Sequence, residues 1–337
     1  MEDKKKRKEI LILSVMKNSK DPLSSGRVAE ELASLGHEIS ERTVRLYLQK
    51  MVAEGLVDSN GKRGHAITTR GMEELQSFRI IERVGFLSAK IDQLTYRMDF
   101  NLSTVTGSVL INVTIVDPAL FAKNIPTIAR VYENGYAMGH LLTFLGPGES
   151  CGYITIPDGM IGIGTVCSIT LNGVMLKHGI PVTSRFGGLL EMVDKKPSRF
   201  VEIIMYDGTS IDPLEIFIRS GMTNYLDVVR TGNGRIGASF REFPAESMET
   251  VQQLTDKLAR IGLGSLVKIG RPGQTVLDIP VSEGRIGAIV IGGLNPVSIL
   301  EETGVRAYSR AMAGVIDFNK LFRYEEMENR IRDYLKA

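Results

Sequence analysis

The sequence predicts an α+β chain in which an N-terminal winged helix-turn-helix is followed by a duplicated α+β domain. Three observations predict it. Three short helical patterns near the N-terminus lead into a basic hairpin. An internal repeat with a period of about 125 residues fills most of the remainder. Within both copies, strand and helix patterns follow the same order. The predicted organisation is a winged helix over residues 1–84, a helical linker over 85–106, the duplicated domain over 107–320 and a C-terminal helix over 321–337. The two copies cover about 109–192 and about 235–318.

The elements follow in order. Lys4 to Lys17 reads as a helix with Ile10, Leu13 and Val15 or Met16 inward, and Asp21-Pro22 ends it. A second helix, Ser25 to Leu35, carries Val28, Leu32 and Leu35 at helical spacing, with Gly36 as its C-terminal stop. Ser40 is placed to cap a third helix in which Val44, Leu48 and Met51 face one way. Arg42, Thr43, Arg45 and Gln49 lie on other faces, with Ser40 beside them, and suit base edges and phosphates in a major groove. Asn60-Gly61 signals a two-residue hairpin turn. Lys62, Arg63 and His65 make that hairpin a basic wing. The order of helix, helix, capped arginine-bearing helix and basic hairpin is that of a winged helix that binds double-stranded DNA. A winged helix that contacts only protein is the alternative. Further helices are expected over Gly71 to Arg83 and Ser88 to Tyr96. In the second, Ile91 and Leu94 could pack on the winged helix or form a dimer seam.

The repeat is carried by matched strings. Ile156-Pro157-Asp158-Gly159-Met160-Ile161-Gly162 matches Ile279-Pro280 through Ile286-Gly287, and His178-Gly179-Ile180 matches Thr303-Gly304-Val305. Ser184-Arg185 matches Ser309-Arg310, and Asn172-Gly173-Val174 is aligned with Asn295-Pro296-Val297. The first copy should run strand 109–116, helix 118–133, strands to Thr170, helix 174–178 and strand 186–192. The second should run strand 235–242, helix 245–261, strands to Ile291, helix 297–303 and strand 311–317. Between them, Arg199 to Met205 and Leu214 to Ile218 are strand candidates. The groove between two such copies is a natural ligand site.

Composition and charge narrow the function classes. The 337 residues are 43% hydrophobic and 24% charged, as in a soluble globular protein. No apolar run is long enough for a membrane span, and Ile10 to Val15 lacks the cleavage site of a signal peptide. Cys151 and Cys167 form no CxxC pattern, so neither a zinc site nor a disulfide framework is expected, and a reducing cytoplasm is. Residues 1–84 hold 16 Lys and Arg against 13 Asp and Glu, and the remainder 25 against 26. The basic excess, densest at Lys4, Lys5, Lys6, Arg7 and Lys8, therefore sits beside the winged helix, where it would meet phosphates or simply solvent.

No catalytic constellation is recognisable, so the chain is not expected to be an enzyme, and no metal or cofactor is expected. Gly232-Asn233-Gly234-Arg235-Ile236-Gly237 fits GxGxxG but precedes a strand, so it reads as a turn. His37, His65, His140 and His178 lack metal-ligand spacing. Cys167 has no base beside it and reads as a buried core residue. What remains is a set of glycine-rich strand ends, including Gly187-Gly188, with Thr165, Cys167, Ser168, Asn172 and Arg185 nearby. Bare backbone N–H groups and an arginine can hold a carboxylate; tight turns and a structural ion pair are the alternative. The polar loop from Tyr206 to Pro213, which contains Thr209 and Ser210, could line the same groove, or be a simple Asx-type turn with a proline stop.

Longer strings carry a family resemblance. Gly164-Thr165-Val166-Cys167-Ser168-Ile169-Thr170-Leu171-Asn172-Gly173, the segment from Gly179 to Gly188, Gly208-Thr209-Ser210-Ile211-Asp212-Pro213-Leu214-Glu215, Ala238-Ser239-Phe240-Arg241-Glu242-Phe243-Pro244 and Gly292-Gly293-Leu294-Asn295-Pro296 resemble the effector domain of the archaeal nitrogen regulatory repressors, NrpR. The likeness spans about residues 8–320. It implies a repressor of nitrogen-assimilation genes whose inducer is 2-oxoglutarate. It also implies a homodimer or a pairing with a related regulator, since some members carry two effector domains and this chain has room for one. The resemblance assigns no ligand residue. Two other readings stand beside it: a co-regulator subunit that bridges to another repressor or to general transcription factors, and an enzyme with an appended winged helix.

Overall fold

The computed structural model describes residues 2–17, 19, 21–34, 37, 39–75, 86–264 and 266–335. The chain divides into two units, Met1–Gly85 and Phe86–Ala337. In the first, α1 (Glu2–Lys17), α2 (Ser25–Ser34) and α3 (Glu41–Ala53) pack through the expected stripes. Ile10, Leu13, Val15, Met16, Val28, Leu32, Val44, Leu48 and Met51 are all buried, joined by Ile12. Ser40 caps α3, its Oγ accepting from the Thr43 N–H. Strands β1 (Val57–Ser59) and β2 (His65–Ile67) form the wing, and Leu23 bridges to His65 on its outer side. Helix α4 is described over residues 69–75. The expected stop at Leu35-Gly36 and the remainder of the helix to Arg83 lie outside the described residues, as do the side chains of Lys4, Lys5, Lys6, Arg7 and Lys62.

The wing differs from the expected two-residue turn. Asn60 to Gly64 form a longer loop, with a 3-10 turn over Gly61–Arg63. The Asn60 N–H donates to the Gly64 carbonyl. Gly64, at φ +102°, lets the chain pass against Leu23, whose carbonyl oxygen lies 2.5 Å from where a Cβ would stand. That close approach, which only glycine allows, sets the loop.

In the second unit the first copy comprises β3 (Ser108–Val116), α6 (Pro118–Glu133), β4 (Leu141–Leu145), the small hairpin β5 (Ser150–Cys151) and β6 (Ile154–Thr155), β7 (Ile161–Val166), α7 (Ile169–Lys177) and β8 (Thr183–Val193). It is preceded by α5 (Leu87–Arg97) and followed by β9 (Lys196–Met205), α8 (Pro213–Arg219) and α9 (Tyr225–Thr231). The second copy comprises β10 (Gly234–Pro244), α10 (Met248–Arg260), β11 (Leu266–Ile269), β12 (Arg285–Ile291), α11 (Asn295–Glu302) and β13 (Tyr308–Asp317). The tail is β14 (Phe322–Arg323), α12 (Met327–Arg330) and α13 (Arg332–Leu335).

These strands form two antiparallel five-stranded sheets, ordered β13-β3-β7-β4-β14 and β11-β12-β10-β8-β9. The copies are interlocked rather than side by side. The last strand of each lies against the first strand of the other: β13 on β3 and β8 on β10. Strands β3 and β10 thereby lie inside their sheets, which fits their near-continuous burial from Val109 to Val113 and from Ile236 to Phe243.

Four sequence expectations are corrected. Leu214 to Ile218 is a helix, because Asp212 accepts from the Leu214 N–H and Pro213 stands in the first turn. Helix α7 begins at Ile169, not Val174; it is buried on all sides from Ile169 to Met175, so it shows no amphipathic period. Residues 321–337 open with strand β14 on β4, followed by short helices. Asn172 is not the counterpart of Asn295: Thr170 bonds Leu110 backbone as Asn295 bonds the Gly237 carbonyl, so these two correspond. Helix α5, expected in the linker, places Leu87, Ile91 and Leu94 in the second unit's core.

Candidate functional site

Each unit contains one candidate surface or cavity. In the first, Arg42, Arg45 and Gln49 are exposed on α3, opposite its buried stripe. Arg45 is tied to Glu41 at 2.5 Å, and Glu41 also accepts from Ser25. The Ser40 and Thr43 hydroxyls bond each other at 2.9 Å, so both serve the cap as well as the surface. Lys50 is drawn to the buried Glu9 at 2.6 Å, which raises its pKa. Arg63 is exposed in the wing loop. His65 is half-buried within the ladder, its Nδ1 buried and without a partner.

The second unit holds a cavity of about 20 Å³ where the strand ends of both copies meet. Asn112 on β3 and Ser239 on β10 line it, with Cys167 and Ser168 after β7, and Gly292 and Gly293 after β12. Strand register makes these counterparts: Ile111 stands opposite Val166 as Ala238 stands opposite Ile291. Tyr206 and Asp212 complete the wall.

Against this wall lies Arg241, at 0% exposure the largest fully buried side chain among the described residues. Its Nη2 donates to the Ser168 Oγ at 3.1 Å, and its guanidinium lies 5.8 Å from the Tyr206 ring centroid. Nε and Nη1 have no partner, and among the described residues no carboxylate pairs with it. An unpaired buried charge costs several kcal/mol, roughly, so it points to an anion. The register places Arg241 where the first copy has Thr114, so the paired copies hold one such charge.

Burial, then the Glu215 carboxylate, push the Asp212 carboxyl up to about 6. Burial pushes the Cys167 thiol up to about 12, which keeps it protonated near neutrality. A larger cleft, about 480 Å³, lies beside α10 and β11 and is lined by Gln252, Asp256, Lys268 and His140. Size favours that cleft; the unpaired guanidinium favours the smaller cavity, and the charge is the stronger signal.

The sequence-predicted ligand residues separate accordingly. Cys167 and Ser168 line the cavity. Gly187 admits Tyr206 and Pro213, whose atoms come within about 3 Å of its absent Cβ. Thr165 accepts from Asn112, one layer away. Asn172 bonds Ser184, and Arg185 is engaged by Glu242 at 2.8 Å and the Pro280 carbonyl at 2.6 Å. Gly188 accommodates β9, Thr209 turns onto Ile211, and Ser210 is exposed. The loop from Tyr206 to Pro213, read as a possible wall of the groove, does contribute Tyr206 and Asp212 to the cavity, whereas Arg241, Asn112 and Ser239 were missed. The one available signal was an arginine at an interior position of an apolar strand, within Phe240-Arg241-Glu242-Phe243.

Residues 84–323 match the family model described as NrpR regulatory domains NRD1 and 2, and residues 10–75 match the ribonuclease R winged-helix domain. A relative from Methanosarcina mazei, the global nitrogen regulator NrpRI, is 33% identical over 95% of this chain and 99% of its own. The chain belongs to the NrpR family. A Methanococcus maripaludis relative, global nitrogen regulator NrpR, is 29% identical over 98% of this chain but only 56% of its own length. The chain thus spans nearly all of one NrpR relative and about half of another. A solved nitrogen repressor-like protein from Methanococcus jannaschii superposes with a TM-score of 0.61 at 24% identity, covering 71% of this chain and 99% of that one, which is a likeness of fold.

Proposed function

We propose that the protein is a DNA-binding transcriptional regulator, a repressor of nitrogen-assimilation genes that 2-oxoglutarate releases from operator DNA. Membership of the NrpR family and the arginine-bearing face of α3 support the regulator reading. The observation that carries the effector reading is the buried Arg241 guanidinium with two unpartnered nitrogens beside a cavity shared by both copies. A carboxylate could bridge Nη2 and one of the two unpartnered nitrogens, sharing Nη2 with Ser168, and Ser168, Ser239 and Asn112 offer further polar contacts. A cavity of about 20 Å³ admits about one water, so a five-carbon dianion requires the walls to part. Ligand affinity is then tied to an opened arrangement, which is how an effector shifts a population away from a DNA-competent state.

The proposed assembly is a homodimer or a pairing with a related regulator. Among the described residues no helix is long and apolar enough to cross a membrane, and the proposed location is the cytoplasm. The test is binding to the promoters of the genome's own nitrogen-assimilation genes, at fixed salt, with and without 2-oxoglutarate. Specific binding that weakens with the metabolite is expected. Binding indifferent to it rejects the effector, and no specific binding rejects the DNA reader in favour of a bridging co-regulator.

A further inference from the structure

Resting on the DNA-binding reading, we infer that Leu46 is a specificity-determining residue that reads the 5-methyl group of a thymine in the operator. Helix α3 buries Val44, Leu48 and Met51 completely. With 3.6 residues per turn, the positions diametrically opposite are Arg42, Leu46, Gln49 and Ala53. Leu46 is 61% exposed, and it occupies the crest of the face that Arg42 and Gln49 share. Tyr47, the aromatic residue of the helix, is partly buried against the core, and Val52, at 36% exposure, lies at the flank. Leu46 is thus the one large apolar side chain on the crest, and it is framed by Arg42 four residues before it and Gln49 three residues after it.

The chemistry of the major groove gives that arrangement a meaning. Base edges there present donors and acceptors, which suit arginine on guanine and glutamine on adenine, and one apolar group, the thymine methyl. A leucine between an arginine and a glutamine therefore selects a thymine at a base step flanked by hydrogen-bonded contacts. Cytosine lacks the methyl and would leave the side chain against a polar amino edge. Leu46 adds nothing to the core, so its apolar character is not required for the fold.

The experiment uses the full chain. Binding sites are selected from random duplexes of about 20 base pairs, room for two half-sites one helical turn apart. Each thymine of the selected site is then replaced singly by deoxyuridine, and affinity is read by fluorescence anisotropy. At one thymine per half-site, loss of the methyl should weaken the wild type by about fourfold, as expected for one buried methyl group. Leu46→Ala should bind the thymine and uracil duplexes equally, with an unchanged salt slope because no charge is altered. Leu46→Met, which keeps an apolar contact, should retain the methyl dependence, and both variants should melt with the wild type. A wild type indifferent to every substitution, or a Leu46→Ala variant with undiminished sensitivity, overturns the inference while leaving the DNA reader intact. A chain that selects no site overturns both.

Discussion

Replacing Arg241 by methionine separates a ligand-binding arginine from a structural one. A structural arginine, paired and satisfied, would be missed by about 3–5 kcal/mol on removal. Arg241 is different. Its two unpartnered nitrogens each cost about 1–3 kcal/mol, set against about 1.5–3 kcal/mol for the Ser168 bond. The Tyr206 contact adds up to about 2 kcal/mol. These nearly cancel, so without ligand Arg241→Met should change stability by about 1 kcal/mol, in the stabilising direction. That is a rise of about 2–4 °C in calorimetry of the full chain. With 2-oxoglutarate at a hundred times its dissociation constant, the wild type should gain about 2.7 kcal/mol and the variant nothing. Operator binding by the variant should persist and ignore the metabolite. A ligand-free variant destabilised by more than about 3 kcal/mol, or one that keeps the full ligand-dependent rise, would refute the reasoning.

Asp212 contributes a pH dependence of opposite sign to the usual carboxylate. Its folded pKa, about 6, lies above the ordinary 3.8, so the folded state holds the proton more tightly and this group's contribution to stability falls as pH rises from about 4 to about 6. Against Asp212→Asn, the wild type should lose roughly 2 kcal/mol across that window in thermal melts, and an equal pH profile for the two proteins would count against the assignment. Gly64→Ala should disorder the wing, because its Cβ would meet the Leu23 carbonyl at a positive φ; a loss of more than about 2 kcal/mol from the N-terminal unit, with weaker DNA binding, is expected. Glu242→Ala should cost about 3–5 kcal/mol, because Glu242 faces Arg185 at 2.8 Å and Arg285 at 3.6 Å; Glu242→Ala melting with the wild type would show that the pair is unimportant.

What could be read in the sequence follows from where periodicity survives. Helices α2, α3 and α6 expose one face each, so their buried stripes show in the spacing of Val28 and Leu32, of Val44 and Leu48, and of Phe121 and Ile125. Helix α7 is buried all round and lost its N-terminal half to the preceding strand. The duplication was visible because Ile156-Pro157 recurs as Ile279-Pro280 and Ser184-Arg185 as Ser309-Arg310, but strand exchange was not. Strand β8 has the same pattern whichever sheet it joins, since pairing partners leave no mark on a single chain. In the candidate cavity, Cys167 and Ser168 were found through the glycine-rich strand end. Arg241 was not, because an arginine inside an apolar strand looks like an outward-facing residue until tertiary burial is known.

The exchange of strands also explains why the cavity belongs to neither copy alone. Ser168 comes from the first copy and Arg241 from the second, and their hydrogen bond crosses the junction. Asn112 of the first copy likewise accepts from the Met312 N–H of the second, at the bulge where Met312 holds φ +50°. A non-glycine residue in that region is strained by about 1–2 kcal/mol, and the Asn112 bond helps to hold it there. A carboxylate that takes the Arg241 donors would compete with the Ser168 bond and press on both strand ends. Because β8 and β13 each complete the opposite sheet, that displacement reaches both sheets through their backbone ladders. Two copies folded side by side would have confined it to a loose interface. On the proposed reading, interlocked copies would pass the filling of one small cavity on to both sheets of the second unit, as an effector that acts at a distance requires.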